Sequence, residues 1–292
     1  MFFARDKSFA VRGKVALVTG ALGAIGKQIT QHLLDGGAQV IMVDIIDTET
    51  GETARRSLSS DNTKYIQADL RNFSDIQRML DEGVQAFERI DILINNAGLA
   101  LYNRLYVDEL SENVAAAIDV NIRAPIEATR LFVTMLKASG HPGAVVNVAS
   151  VAGLMPRRGF EVYGATKAAL IFFTQASQHL APQIRVSAVA PFFVDSPMVR
   201  RATELQNKAV LGSAVLITVK DVADAVIAQV QDKQSAGSTV MLVGPWSRLP
   251  VWTFWISYAY ATFVVMVCLL IGRIKSVCGM ATGGGKHPVH QN

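Results

Sequence analysis

Residues 14–44 constrain the fold more than any other stretch. KVALVT (Lys14–Thr19) is a short, β-branched apolar run, the pattern of a strand buried on both faces. It leads into TGALGAIG (19–26), an amphipathic stretch over Gly26–Leu34, a stop at Gly36–Gly37 and a second strand, Gln39–Val43, that ends in Asp44. Strand, glycine-rich turn, helix and strand in about 30 residues make a β-α-β unit, which requires parallel strands. At such a turn small residues let the main chain approach a pyrophosphate, and the helix N-terminus supplies free N–H groups. A P-loop would need glycine at Ala21 and serine or threonine at Gln28, so the turn does not fit an ATPase or GTPase.

The alternation continues to residue 243. Strands are expected at Lys64–Gln67, Ile92–Ile94, Ala144–Val148, Arg185–Ala190 and, last, Thr239–Val243. Helices are expected at Ser74–Phe87 with Ser74 as N-cap, at Glu112–Leu136 with a kink at Pro125, at Tyr163–Leu180 and at Val219–Val230. The fold class that follows is α/β, a Rossmann-type doubly wound parallel sheet in a single domain. Residues 11–245 form that domain, after an N-terminal extension, 1–10.

The chain has 292 residues, half of them hydrophobic. Much of the apolar excess lies in Val251–Ile271, 21 positions without a charge and long enough for a membrane-spanning helix. Trp246, Trp252, Trp255, Tyr258 and Tyr260 crowd its front, and Arg273 and Lys275 close its end. The reading is a C-terminal transmembrane helix within 246–275 and a flexible tail, 276–292. The opening residues lack the apolar run of a secretory signal. The catalytic domain is therefore expected in the cytosol on a single-pass anchor at the endoplasmic reticulum or another organelle surface. The net charge of +4 is dispersed and predicts no nucleic-acid partner. Two cysteines and five scattered histidines give no disulfide framework and no metal site.

Asp44 lies 18 residues after Gly26, where a carboxylate accepts hydrogen bonds from ribose hydroxyls and repels a 2′-phosphate. No cation stands at Ala21, Leu22, Ile45 or Ile46, so the expected cofactor is NAD rather than NADP. Tyr163 and Lys167 are one helical turn apart, and an ammonium beside a phenol lowers its pKa and equips it for proton transfer.

Five motifs, in order, resemble the short-chain dehydrogenase/reductase family: TGALGAIG; Asp69 in ADL; NNAG at 95–98; Asn121 in DVNI; and VVNVAS, ending at Ser150, before YGATK at 163–167. The resemblance covers residues 10–245 and implies an oxidoreductase. In it Tyr163 is the acid/base, Lys167 binds the nicotinamide ribose, Ser150 holds the reacting oxygen and Asn121 keeps a water in a proton relay. It further implies that Gly20, Ala24, Ile25 and Gly26 cradle the cofactor beside Asp44 and Ile45. Asp69 and Leu70 would flank the adenine, Asn96, Ala97 and Gly98 would line the channel, and Pro191 and Val194 would meet the nicotinamide.

Within the family, SVAGLMP (150–156) and Asp44 are most similar to the branch of NAD-dependent 15-hydroxyprostaglandin dehydrogenases. Three positions depart from the usual pattern: Ala24 replaces a turn glycine, Phe192 follows Pro191 where glycine is usual, and Phe160 replaces that branch's glutamine. With Arg157 at the rim, Phe160 and Phe192 are the expected substrate contacts. The implied substrate is a small lipophilic secondary alcohol or ketone: a steroid, retinoid, prostaglandin-like or other oxidised lipid. The alternative is a catalytically weak NAD-binding scaffold or sensor. A homodimer or homotetramer is expected, joined through Glu112–Leu136 and Tyr163–Leu180.

Overall fold

The computed structural model describes residues 11–58, 61–100, 111–156, 158–197, 200, 216–244 and 247–250. They fall in one compact unit that ends at Pro250. Seven strands run parallel: β1 (Val15–Thr19), β2 (Gln39–Asp44), β3 (Thr63–Gln67), β4 (Ile92–Asn95), β5 (Gly143–Val148), β6 (Ile184–Pro191) and β7 (Thr239–Gly244). An eighth, β8 (Ser247–Pro250), pairs antiparallel with β7, and the order is β3-β2-β1-β4-β5-β6-β7-β8. The order reverses at β1, which lies between β2 and β4, so the crevice beyond the carboxyl ends of β1 and β4 is the place for a ligand.

Helices cover both faces, which is why β1, β5 and β6 are buried along their whole length. On one face Ile29 and Leu33 of α1 (Ala24–Asp35) and Val222, Val226 and Val230 of the last helix, Val219–Gln231, meet Val40, Met42 and Val146. On the other, Ile76, Met79 and Leu80 of α3 (Phe73–Phe87) join Phe132 and Leu136 of α5 (Ala124–Ser139) over Leu17, Ile41 and Val145. The remaining α-helices among the described residues are α2 (Thr48–Ser57), α4 (Ser111–Ile118) and α6 (Glu161–Ala176), and the last one is α7. A buried amide chain stitches the second layer to the sheet. Asn95 donates to Asn147 Oδ1 (2.9 Å) and to Thr129 of α5 (3.2 Å), and Asn147 donates to Thr174 of α6 (2.9 Å).

The structure corrects several expectations. The 112–136 segment is not one regular helix: its irregularity lies just before Pro125 rather than at it. It widens into a π turn at Asp119–Arg123, one residue before α5, and Pro125 occupies the first turn of α5. Pro125 has no N–H for the Asn121 carbonyl, so the ladder passes through Ala124, whose N–H reaches Asp119 O instead. Asn72, not Ser74, is the N-cap of α3, without a side-chain cap bond. The helix after Tyr163 ends at Ala176 and tightens to a 3₁₀ turn over Ser177–Leu180. Thr239–Gly244 is not the last strand, because β8 follows as an edge strand that tolerates Pro250. Helix α2 had no counterpart in the sequence reading. Among the described residues no helix is long and apolar enough to cross a membrane, and Val251–Ile271 lies outside them.

Candidate active site

A cavity of about 950 Å³ occupies the crevice at the switch point. Its size is at the upper end of small-molecule sites, enough for an elongated cofactor with a substrate beside it. At one end lies the β1–α1 turn. Gly20 has φ +63°, and a Cβ there would stand 2.9 Å from Ala97 Cα; a Cβ on Gly26 would fall 2.1 Å from the Gly20 carbonyl oxygen. No side chain fits at Gly26, so main chain alone faces the ligand. A Cβ at Gly23 would meet its nearest atom at 3.3 Å, and Ala24 accommodates its methyl as the first residue of α1. Gly23 caps α1 without a side-chain hydrogen bond, which leaves the first-turn N–H groups beside the cavity for an anion. This cradle fits a dinucleotide pyrophosphate.

Asp44 closes the same end. Its carboxylate accepts from Leu22 N (2.9 Å) and Ile45 N (2.8 Å), so one residue ties the turn of β2 to the glycine-rich turn. Asp69 and Leu70 also line the cavity, and the Asp69 carboxylate holds Arg71 at 2.6 Å, which keeps Asp69 below the usual carboxylate range. Asn96 donates to the carbonyls of Thr19 (2.9 Å) and Gly20 (3.1 Å), while the Thr19 hydroxyl accepts from Asn96 N and Ala97 N (both 3.1 Å). The carboxyl ends of β1 and β4 are thereby fixed to each other. Thr19 has no role in the sequence reading, although it opens the TGALGAIG motif.

At the deep end Tyr163 and Lys167 project from α6, and Ser150 from the end of β5. Tyr163 is half-buried in the cavity wall. Burial there pushes the phenol pKa up, and a hydrogen bond from Ser150 works against that rise. Burial also pushes the Lys167 ammonium down to about 8. Lys167 Nζ donates to Val148 O (2.9 Å) and lies 5.7 Å from the Tyr163 ring centroid. The phenol pKa thus moves opposite to the expected direction: desolvation is the largest cause, and the opposing contribution is the Ser150 hydrogen bond.

The Ser150–Tyr163 alignment has a steric basis. The 3₁₀ turn Val151–Gly153 rests directly on α6, and a Cβ on Gly153 would lie 2.5 Å from the Lys167 carbonyl carbon. Asn121, with no exposed surface, does not line the cavity. Its side chain accepts from Leu99 N (2.8 Å) and donates to Leu99 O (2.8 Å) and Thr166 Oγ1 (3.0 Å); Thr166 donates to Tyr163 O (2.7 Å). The amide is thus fully engaged in bracing Leu99 and Thr166 against each other. Thr166, in YGATK, is a second residue the sequence reading passed over.

Gly20, Ala24, Ile25, Gly26, Asp44, Ile45, Asp69, Leu70, Asn96, Ala97, Gly98, Ser150, Phe160, Tyr163, Lys167, Pro191, Phe192 and Val194 all line this one cavity. Arg157 lies outside the described residues. Phe192 is half-buried against the core, and its φ is not positive, since Glu88 alone among the described non-glycine residues has φ > 0. A glycine is therefore not required there. Leu99, Met155, Phe193 and Ser196 are among the lining residues the sequence did not single out.

Residues 14–207 match the family model described as short chain dehydrogenase. The chain belongs to the short-chain dehydrogenase family. It is 32% identical over 207 residues to the NAD(+) 15-hydroxyprostaglandin dehydrogenase of Rattus norvegicus, covering 68% of this chain and 74% of that one. It is also 32% identical over 184 residues to 3β-hydroxysteroid dehydrogenase 2 of Eggerthella lenta, covering 61% and 70%. The crystal structure of 3-ketoacyl-(acyl-carrier-protein) reductase from Brucella melitensis complexed with NADH superposes with a TM-score of 0.70 at 28% identity, over 80% of this chain and 96% of that one. This short-chain dehydrogenase is thus a nicotinamide-dinucleotide-dependent oxidoreductase with its motifs gathered around one cavity.

Proposed function

We propose that this enzyme transfers hydride between NAD and a lipophilic secondary alcohol or the matching ketone, from a domain anchored to a membrane. The observation that carries the reading is the Ser150–Tyr163 pair at one end of a cavity whose other end is the glycine cradle and Asp44. NAD supplies the hydride acceptor when bound. Tyr163 takes the carbinol proton, or returns it to the ketone, with Ser150 holding the same oxygen. Lys167 binds the nicotinamide ribose from its place beside Val148 O, and Asn121 keeps a water on the proton route, as the family resemblance implies. Asp44 favours NAD over NADP, since Ala21, Leu22, Ile45 and Ile46 carry no cation and Arg71 is engaged by Asp69.

The substrate class rests on the wall near Tyr163. Phe160 is buried, with its ring centroid 6.3 Å from that of Tyr163 and 6.4 Å from that of Phe193, and Phe193 meets Phe192 edge-on at 4.7 Å. Met155 and Leu99 extend this surface toward solvent. Such a wall favours an apolar body and gives little to a polar one. The names of the rat and Eggerthella relatives, a hydroxyprostaglandin and a hydroxysteroid enzyme, agree with this. NADH production across secondary alcohols of rising chain length is the test. kcat/KM should climb by about three-fold or more per added methylene until the wall is filled. Phe160→Gln should flatten that slope. Faster turnover of short polyols would overturn the substrate class, and NAD binding with no turnover of any alcohol or ketone would favour the scaffold.

Membrane attachment rests on the uncharged run Val251–Ile271 with its aromatic front. The full chain should stay in the membrane pellet after carbonate extraction at high pH. Ala259→Lys with Phe263→Lys, which flank the midpoint of the run, should release it, because each lysine near the centre of a span costs about 3 kcal/mol. Release of the wild type would remove the anchor from the reading. A second copy is also proposed as a partner, supported by exposed Ile118 on α4 and Phe172 on α6.

A further inference from the structure

Tyr65 stands on β3 outside the cavity, yet its hydroxyl ends at the turn that carries Asp44. The phenol donates to Ile46 O at 2.5 Å and lies 3.4 Å from Asp44 O. Register explains the reach: Tyr65 pairs with Met42, two positions before the Asp44–Gln67 pair, so its side chain runs along the sheet surface toward the strand end. The ring is buried, and α2 lies directly upon it, for a Cβ on Gly51 would fall 2.0 Å from a Tyr65 ring carbon. Asp47, the N-cap of α2, accepts from Thr50 N (2.9 Å) and closes the other side of the turn. One hydroxyl thus joins β2, β3 and the connection into α2.

This matters because of how Asp44 is held. Among the described residues its carboxylate is oriented by main-chain N–H groups alone, those of Leu22 (2.9 Å) and Ile45 (2.8 Å) and, more weakly, Ile46 at 3.4 Å. Two of those three donors belong to the segment Tyr65 grips. Movement of residues 45–46 would therefore turn the carboxylate, and the carboxylate is what meets the ribose.

We propose that Tyr65 is a positioning residue that sets the preference of this enzyme for NAD over NADP by locking the Asp44–Ile46 turn. The inference rests on the assignment of Asp44 to the adenosine ribose in the preceding section. Burial, with the Asp44 and Asp47 carboxylates nearby, pushes the Tyr65 phenol up to about 12, so it remains a donor throughout the range in which dinucleotides are assayed.

The test is direct titration of the full-length protein with NADH and with NADPH, read by nucleotide fluorescence, without substrate. Tyr65→Phe keeps the ring and removes one neutral hydrogen bond, so the NADH Kd should rise by about five-fold. The NADPH Kd should stay level or fall, because the repelling carboxylate is less firmly placed. Ile66→Val, on the opposite face in the core, is the control for general loosening: it should lower Tm and leave the NADPH/NADH Kd ratio unchanged. A double-mutant cycle guards against an unrelated packing effect. In an Asp44→Ala background, Tyr65→Phe should no longer move that ratio. An unchanged ratio in Tyr65→Phe, a matching change in Ile66→Val, or a full effect in the Asp44→Ala background would each overturn the proposal. A wild-type preference for NADPH would instead overturn the assignment of Asp44.

Discussion

Tyr163→Phe is expected to lower turnover by about 10²–10⁴-fold while leaving NADH binding within two-fold of the wild type, the range for removing a positioned general acid or base. The substitution deletes a single oxygen. The ring contact with Phe160 at 6.3 Å remains, and Lys167 keeps its bond to Val148 O, so the fold and the cofactor end are undisturbed. Direction of reaction supplies a second readout. Burial raises the Tyr163 pKa, so the phenol is protonated at neutral pH and is ready to donate to a ketone. Alcohol oxidation needs the phenolate, so its kcat/KM should increase with pH, by up to about ten-fold per unit while the phenol remains mostly protonated. Ketone reduction should be flat over the same interval. In Tyr163→Phe the slope for oxidation should disappear along with the rate. Retention of more than a tenth of wild-type turnover, or of its pH slope, would remove Tyr163 from the chemistry.

The parts of this site that were legible in the sequence are those fixed by local chemistry. A glycine with no room for a Cβ (Gly26), a carboxylate at a strand end (Asp44) and a Tyr–Lys pair one helical turn apart each leave a mark at short range, and all of them line the same cavity. The parallel sheet was legible for a similar reason, since strands buried on both faces are continuous apolar runs. What escaped depends on partners distant in sequence. Helix α2 reads TETGETARRS and buries only Gly51, so it shows no apolar stripe; an N-cap at Asp47 and the ring of Tyr65 hold it. Thr19 and Thr166 sit inside recognised motifs, but their tasks appear only when Asn96 and Asn121 come within reach. The sequence puts a kink at Pro125 because a proline removes a hydrogen bond; the irregularity is a π turn at Asp119–Arg123, around the carbonyl four residues earlier. The Tyr163 pKa went the opposite way because residue spacing shows a neighbouring charge and does not show the depth of the cavity.

That depth makes Lys167 costly to keep charged, and the cost has a measurable sign. Its folded-state pKa of about 8 lies below the ordinary 10.5, so the unfolded chain binds the proton more tightly. Below about pH 8 the folded protein carries the whole penalty of a buried ammonium, about 3 kcal/mol for a displacement of this size. Between about 8 and 10.5 the lysine discharges in the folded state first and wild-type stability recovers. Lys167→Met removes the penalty and also the hydrogen bond to Val148 O, so a net gain of about 1–2 kcal/mol is expected at pH 7 without cofactor. For a domain of this size that is a rise in Tm of about 2–8 °C. The gain should shrink as pH rises through 8 and be gone by 10.5, while turnover is lower by about 10²-fold or more at every pH. Thermal melts of both proteins from pH 6 to 10.5 measure the difference directly. A Tm difference that does not change with pH would mean that Lys167 is not held as a buried cation. The expected pattern ties the two ends of the argument together: the buried ammonium that destabilises the free fold is the group the cofactor ribose would meet, so dinucleotide binding should offset part of that penalty.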